Sequence, residues 1–278
     1  MGYPMAGFLA KNSDYKVTVF NRTTAKAEKW VTEYSGSYKE TIEEAVSNAD
    51  FVVSCAGNDN DVREIYAKVF ASAKTGALLI DHTTTSATIA RELHAQAQKQ
   101  GMEFLDAPVS GGQAGAEGGV LTIMVGGDKS TFDKCLALMN SYAKATTLVG
   151  ESGKGQVLKM VNQLCITGLL EGLSEAWSLA KASDIDPEMM LNVLQHGAAG
   201  SWQMVNRTKT AMNNEFDLGF AIDWMRKDLA ICFDEAKTLG IDLPTAKQVD
   251  EKYADLQKRG YSRADTSVLF KQFDDESR

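Results

Sequence analysis

Lys159 and Asn162 stand three residues apart in the stretch GKGQVLKMVNQ (153–163). On a helix that spacing puts both side chains on one face. Around them Val157, Leu158, Met160, Val161, Leu164 and Cys165 are apolar. A helical lysine is ordinarily a solvated charge, but this one does not sit in a water-facing stripe. A lysine carried into an apolar setting has a tunable proton affinity, which general acid–base chemistry near neutral pH requires. Lys159 is therefore the first candidate catalytic group, with Asn162 beside it.

A second stretch suited to chemistry runs from Asp106 to Gly119 and contains Ser110, Gly111, Gly112, Gly115, Gly118 and Gly119. So many glycines do not help a core. They suit a loop whose backbone N–H groups converge on an anion, with the Ser110 hydroxyl as an added donor. A slack hairpin is the ordinary alternative, and the apolar strand that follows favours a built site. A substrate carboxylate is the expected anion. The third stretch is Asn21, Arg22 and Thr23, with Lys26 one turn on. At the end of the second strand of a dinucleotide fold an acidic residue would bond the ribose of NAD; these neutral and basic groups suit a 2′-phosphate, and so NADP over NAD. An ordinary helix cap at Thr23 or Thr24 is compatible with that reading.

The elements that must position these residues follow from periodicity. Strand signals at 15–20, 50–55, 77–82, 102–106, 120–125 and 146–149 alternate with helix signals at 24–34, 59–70, 86–100 and 129–143. Repeated strand–helix units of this length predict a parallel, doubly wound sheet. Ligands on such a sheet lie outside the carboxyl ends of its strands. Two further loops at those ends, 55–59 and 81–86, are small or hydroxyl-rich, as strand–helix turns commonly are. From residue 155 to about 183 the pattern is one long helix, apolar around most of its circumference and so expected to be covered on all sides, in part by a second subunit. Helices at 187–196, 201–212, 222–239 and 244–258 and a short tail near 266–273 complete an all-α second half. Lys227 and Asp228 interrupt the apolar stripe of the 222–239 helix; as neighbours in sequence they are not expected to face each other. The domains divide at 1–150 and 151–278.

The totals exclude several classes. A formal charge of −8 argues against a nucleic-acid or anionic-membrane surface. Charged or amide residues interrupt every apolar run, so no membrane span is expected. The four cysteines are scattered without metal-like pairing and read as buried, reduced thiols of a cytoplasmic protein. The three histidines are equally dispersed.

Together these residues resemble the β-hydroxyacid dehydrogenase family, and most closely its 3-hydroxyisobutyrate dehydrogenase-like members. Asp106 to Gly112 with Gly115, Gly118 and Gly119 is similar to the family's substrate-binding signature. Gly150, Gly153, Gly155, Lys159 and Asn162 are similar to its catalytic signature, and Lys227, Asp228 and Leu229 to a third motif. The resemblance implies a Rossmann-like domain, then a helical domain, with the active site in the cleft between them. It implies hydride transfer between a nicotinamide and a small hydroxy acid. Lys159 would move the hydroxyl proton, Asn162 would orient the substrate or Lys159, and Ser110, Gly111 and Gly112 would hold the carboxylate. Thr84 and the backbone of Ala56 and Gly57 would line the nicotinamide side, Val62 would pack near the adenine, and Lys227 would lie near the cofactor. Assembly as a homodimer or homotetramer through the helical domain is also implied.

Two departures stand out. Gln163 occupies a position where many members have a second asparagine. At the N-terminus, Gly2 and Met5 fall at the end of the family's Gly-x-Gly-x-x-Gly-x-Pro-Met-Ala run and are carried over as cofactor contacts, but the first strand and two glycines before them are not in the sequence. That strand belongs between 15–20 and 50–55, so a chain starting further upstream and weak NADP binding by this one are expected. Within enzymes the substrate stays open among 3-hydroxyisobutyrate, tartronate semialdehyde, succinic semialdehyde and serine. Imine-reducing relatives lack the lysine. A catalytically silent NADP-binding interaction protein is the alternative from another class, and the joint presence of Lys159, Asn162 and Ser110 disfavours it.

Overall fold

The computed structural model describes residues 1–12 and 14–273. They form two compact units, Met1–Lys159 and Met160–Arg278.

The first unit is α/β. In chain order it contains α1 (Gly2–Lys11), β1 (Thr18–Val19), α2 (Thr24–Glu33), β2 (Ser37–Tyr38), α3 (Ile42–Val46) and β3 (Phe51–Ser54). There follow α4 (Asp59–Ser72), β4 (Leu78–Asp81), α5 (Ala87–Lys99), β5 (Glu103–Asp106), β6 (Val109–Ser110) and α6 (Gly112–Glu117). It closes with β7 (Leu121–Gly126), α7 (Lys129–Met139), β8 (Ala143–Gly150) and the start of α8 (Lys154–Ala182). The main sheet has the order β3-β4-β5-β7-β6, with β8 pairing on β7. β3, β4 and β5 are parallel, whereas β7 runs antiparallel to β5 and β6.

Burial on both faces explains why β4 reads as an unbroken apolar run rather than an alternating one. Leu78, Ile80 and Leu105 enter a core with α1 and α7 on one face of the sheet. Leu79 and Phe104 enter a second core with α4 and α5 on the other. Helix starts follow their capping residues: the Asn58 side chain accepts from the N–H groups of Asn60 and Asp61, and Ser86 from that of Ile89.

The strand expected at 15–20 shortens to Thr18–Val19. It pairs only with β2, in a separate two-stranded sheet, and no described strand lies between it and β3. β2 and α3 were not anticipated; each is too short to show a period. The glycine-rich 106–119 stretch is not loop throughout, since it contains β6 and α6.

The second unit is helical. Beyond Met160 it comprises the rest of α8, then α9 (Pro187–Leu194), α10 (Trp202–Met212), α11 (Ile222–Leu239) and α12 (Pro244–Leu256). A π turn (Gln257–Tyr261) and a 3-10 helix (Thr266–Phe273) finish it. Leu170, Met225, Leu229, Tyr253 and Phe270 lie at the centre of its core. Arg226 on α11 forks onto both oxygens of Asp250 on α12 at 2.8 and 3.1 Å. The single chain covers α8 only in part, which leaves a face for the second subunit that the sequence reading expects to pack there. Leu158, Val161, Leu169 and Leu179 are 38, 47, 43 and 70% exposed, so one apolar face of the helix remains open in the single chain.

Candidate active site

The beginning of α8 is where the first unit gathers its polar groups. Helix starts leave N–H groups without partners, and here a buried carboxylate supplies them. Asp106, the last residue of β5, is fully buried. One oxygen accepts from the Gly153 N–H at 2.7 Å and the other from the Gln156 N–H at 3.0 Å. Burial nonetheless pushes this carboxyl up to about 6, against those bonds. The contact is possible only because residue 155 is glycine: a Cβ there would lie 2.5 Å from the Met124 carbonyl oxygen and 2.7 Å from that of Asp106. Lys159 follows one turn after Gln156 and is 7% exposed. The lysine expected in an apolar setting is nearly buried.

The carboxyl end of β4 lies level with that of β5, with Asp81 paired to Asp106 in the sheet register. Asp81 accepts from the hydroxyls of Ser54 and Thr83, both at 2.7 Å, and burial pushes it up to about 6. His82 is buried and pulled down to about 4, so it is neutral near pH 7. Its Nδ1–H donates to the Ala107 carbonyl at 2.6 Å, and its Nε2 accepts from the Tyr142 hydroxyl at 2.9 Å. Beyond it, Thr83 and Thr85 are buried while Thr84 is half-buried. Asp59 at the start of α4 accepts from both the N–H and the hydroxyl of Ser86.

Ser110 closes β6 half-buried, and the exposed Gly111 and Gly112 lead into α6. Gly111 has φ 129° and Gly112 φ 61°, conformations that L side chains rarely adopt. The backbone of this turn therefore requires both glycines.

Asn21, Arg22, Thr23 and Lys26 are all exposed and surround the N-terminus of α2, just past β1. The Asn21 side chain accepts from the Thr23 N–H at 2.9 Å, shaping the turn. Thr23 stands at the N-cap position without a side-chain cap bond, so the ordinary capping alternative is not what the hydroxyl does. Arg22 pairs with Asp61 at 3.4 Å, its side chain 86% exposed.

Other candidates are placed differently. Met5 and Val62 are buried, in the cores on opposite faces of the sheet. The Ala56 N–H is engaged by the Thr83 hydroxyl at 2.9 Å, and Gly57 is half-buried nearby in sequence. Gly2 opens α1, and a Cβ there would lie 3.5 Å from the Cys55 Cβ at the end of β3.

In the second unit, Asn162 donates to the Gln163 side chain at 2.8 Å, and Gln163 donates to Asp228 at 2.6 Å. Asp228 is buried and stands 2.9 Å from the Lys227 ammonium. The expectation that Lys227 and Asp228 do not meet is corrected: the lysine stem is long enough to fold back onto its neighbour. The departure at Gln163 thus links Asn162 to the Lys227–Asp228 pair. Two cysteines also differ from expectation, since Cys55 and Cys165 are exposed while Cys135 and Cys232 are buried.

Residues 1–150 match the family described as the NAD binding domain of 6-phosphogluconate dehydrogenase. Residues 153–273 match that described as NAD-binding of NADP-dependent 3-hydroxyisobutyrate dehydrogenase. An uncharacterised oxidoreductase of Shewanella frigidimarina is 47% identical over 97% of this chain and 93% of its own length. The chain belongs to the β-hydroxyacid dehydrogenase family. An NAD-dependent L-serine dehydrogenase of Pseudomonas aeruginosa is 31% identical over 99% of this chain and 95% of its own length. A solved structure of Mycobacterium tuberculosis 3-hydroxyisobutyrate dehydrogenase with L-serine superposes with a TM-score of 0.88. It is 30% identical and covers 97% of this chain and 94% of that one. The family comprises NAD(P)-dependent oxidoreductases of hydroxy acids, and this β-hydroxyacid dehydrogenase is an enzyme of that kind.

Sequence reasoning gave no role of their own to Gln156, His82 and Asp81. The side chain of Gln156 is fully buried, accepts from the Thr85 N–H at 3.0 Å and donates to the Thr83 carbonyl at 2.8 Å. Its one visible signal was an amide within the first turn of an otherwise apolar helix. Among the described residues no group of acidic, histidine or cysteine side chains is arranged to hold a metal.

Proposed function

We propose that this enzyme interconverts a small hydroxy acid of the 3-hydroxyisobutyrate type and its aldehyde acid, using NADP in preference to NAD. The observation that carries the proposal is the placement of Lys159: nearly buried, on a helix whose first turn is bonded to the end of the strand leading to Ser110. In oxidation Lys159 accepts the proton of the substrate hydroxyl; in reduction it returns that proton to the oxygen. The bound nicotinamide supplies or accepts the hydride. Asn162, one turn further along α8, orients the substrate hydroxyl or Lys159. Ser110 and the N–H groups of Gly111 and Gly112 hold the carboxylate in a turn whose glycine conformations keep the backbone exposed.

The exposed cluster of Asn21, Arg22, Thr23 and Lys26 fits a 2′-phosphate and supports NADP. Gly2, Met5, Ala56, Gly57, Val62, Thr84 and Lys227 complete the cofactor contacts we assign, with Met5 and Val62 acting as packing behind the site. Serine is the second reading. It shares with 3-hydroxyisobutyrate a terminal hydroxyl and a carboxylate, differing in an ammonium for a methyl, and a relative named for L-serine dehydrogenation is 31% identical. Tartronate semialdehyde and succinic semialdehyde carry a carboxylate and an aldehyde whose reduction gives the same terminal hydroxyl.

We divide the chain functionally at 150/151 and assign it to the cytoplasm, in keeping with four cysteines outside any disulfide. No helix among the described residues is long and apolar enough to cross a membrane. We further assign a homodimer or homotetramer built through the helical half. The open apolar face of α8 supports it, as do Met189, Val193 and Trp202 on α9 and α10, 62, 66 and 56% exposed.

The testing experiment is a panel of these hydroxy acids and semialdehydes assayed with NADP and NAD. Turnover of 3-hydroxyisobutyrate with NADP preferred is expected. Far better turnover with NAD refutes the reading of Arg22 and its neighbours, and no turnover with any member favours a silent binding protein.

A further inference from the structure

We propose that Gln156 is a positioning residue that locks the loop carrying Thr84 to the helix carrying Lys159, and so sets the geometry of hydride and proton transfer. The inference rests on the reading of Lys159 as the proton-transfer group.

Three bonds converge on this one residue. Its backbone N–H goes to Asp106, fixing the start of α8 against the end of β5. Its side-chain oxygen takes the Thr85 N–H and its side-chain N–H₂ gives to the Thr83 carbonyl, so the two residues flanking Thr84 are held from one amide. Lys159 follows three residues later, on the same face of the same helix. A displacement of the 83–85 loop is therefore transmitted to a point one helical turn from the lysine. The side chain is fully buried, so water is not there to replace either bond.

Only a group that donates and accepts at once satisfies a carbonyl and an N–H two residues apart. A primary amide does so at every pH. Glutamate has the same length, but its ionised form only accepts and would face the Thr83 carbonyl with a second negative oxygen. In its protonated form the carboxylic acid donates through O–H and accepts through C=O, reproducing the amide pattern. The charged and titratable groups near this point are Asp106, bonded to the residue's own N–H; Asp81, bonded to Thr83; Lys159 on the same helix; and Arg91 of α5, which packs beside Gly153. Burial and two carboxylates outweigh the cations in favouring the neutral acid at residue 156.

The test compares Gln156→Glu with the unchanged enzyme in the reduction of 2-methyl-3-oxopropanoate, the aldehyde acid formed from 3-hydroxyisobutyrate, using NADPH from pH 5 to 8.5. In the ratio of the two kcat values, pH effects common to both proteins cancel. The expected ratio is about 0.01 at pH 8, in line with the cost of a misplaced reacting group. It should rise at least tenfold by pH 5.5, reversibly in the same sample, with KM for the aldehyde acid changed less than threefold. Gln156→Met, which fills the space without bonding, should be slow at every pH. A ratio near 1 throughout overturns the proposal, as does a low ratio that stays flat with pH. Lys159→Ala is run alongside: wild-type turnover in that variant sinks the Lys159 reading, whereas a silent Lys159→Ala with a fully active Gln156→Glu sinks only the positioning role.

Discussion

His82 is pulled down to about 4 by burial, against the opposing hydrogen bond to the Ala107 carbonyl, and this has a measurable consequence for stability. In the unfolded chain a histidine titrates near its ordinary value of about 6.5. The folded value is the lower of the two, so the stability that His82 contributes is complete above about 6.5. It is lost as pH falls toward 4, because the unfolded state takes up the proton first. The gap is about 2.5 pH units at roughly 1.4 kcal/mol each, and most of it has been traversed at pH 4.5, giving a loss of about 2.5 kcal/mol relative to pH 7.5. Urea denaturation of the unchanged protein and of His82→Gln at both pH values isolates this contribution. The loss should be smaller in the variant by about that amount, whatever the other titrating groups contribute. An imidazole NMR titration in the folded protein supplies a reading independent of the substitution and should show no protonation above pH 5. Identical pH dependence in the two proteins, or an imidazole titrating near 6.5, refutes the reasoning.

Other expectations follow from single contacts. Gly155→Ala forces a methyl against two main-chain carbonyls at 2.5 and 2.7 Å and should cost about 3 kcal/mol or more by chemical denaturation. Gln163→Leu strips Asp228 of its 2.6 Å donor and should destabilise by about 2 kcal/mol, read the same way. Arg22→Ala should raise KM for NADP roughly tenfold while leaving KM for NAD within twofold, since each lost charged phosphate contact is worth on the order of 1.5 kcal/mol.

The doubly wound sheet was legible because apolar runs such as that of β4 report burial on both faces, and those of β3 and β4 are followed by capped helices. Lys159 was legible because a charge in an apolar helical context has few explanations. Gly155 was legible as a motif, though its reason appears only in three dimensions: two strands' carbonyls crowd the place where its side chain would be. What the sequence hid are partnerships across long separations. Gln156 bonds residues more than 70 positions away, and the tie between His82 and Tyr142 spans 60. No local period encodes either. Lys227 and Asp228 were misjudged for the opposite reason: helical spacing describes where side chains start, and a long flexible one reaches beyond it. An apolar circumference on α8 called for cover on all sides, but it looks the same whether that cover comes from this chain or another, so which residues stay open appears only in the structure.

The central claim is that Lys159 moves the hydroxyl proton. Its most direct test is kcat for 3-hydroxyisobutyrate oxidation with NADP in Lys159→Ala, with and without added methylamine. The account predicts a loss of about 10²–10⁴-fold, an NADP dissociation constant within threefold of the unchanged enzyme, and partial recovery of kcat as methylamine is added. Turnover within a few-fold of the unchanged enzyme, with no response to the amine, would contradict it.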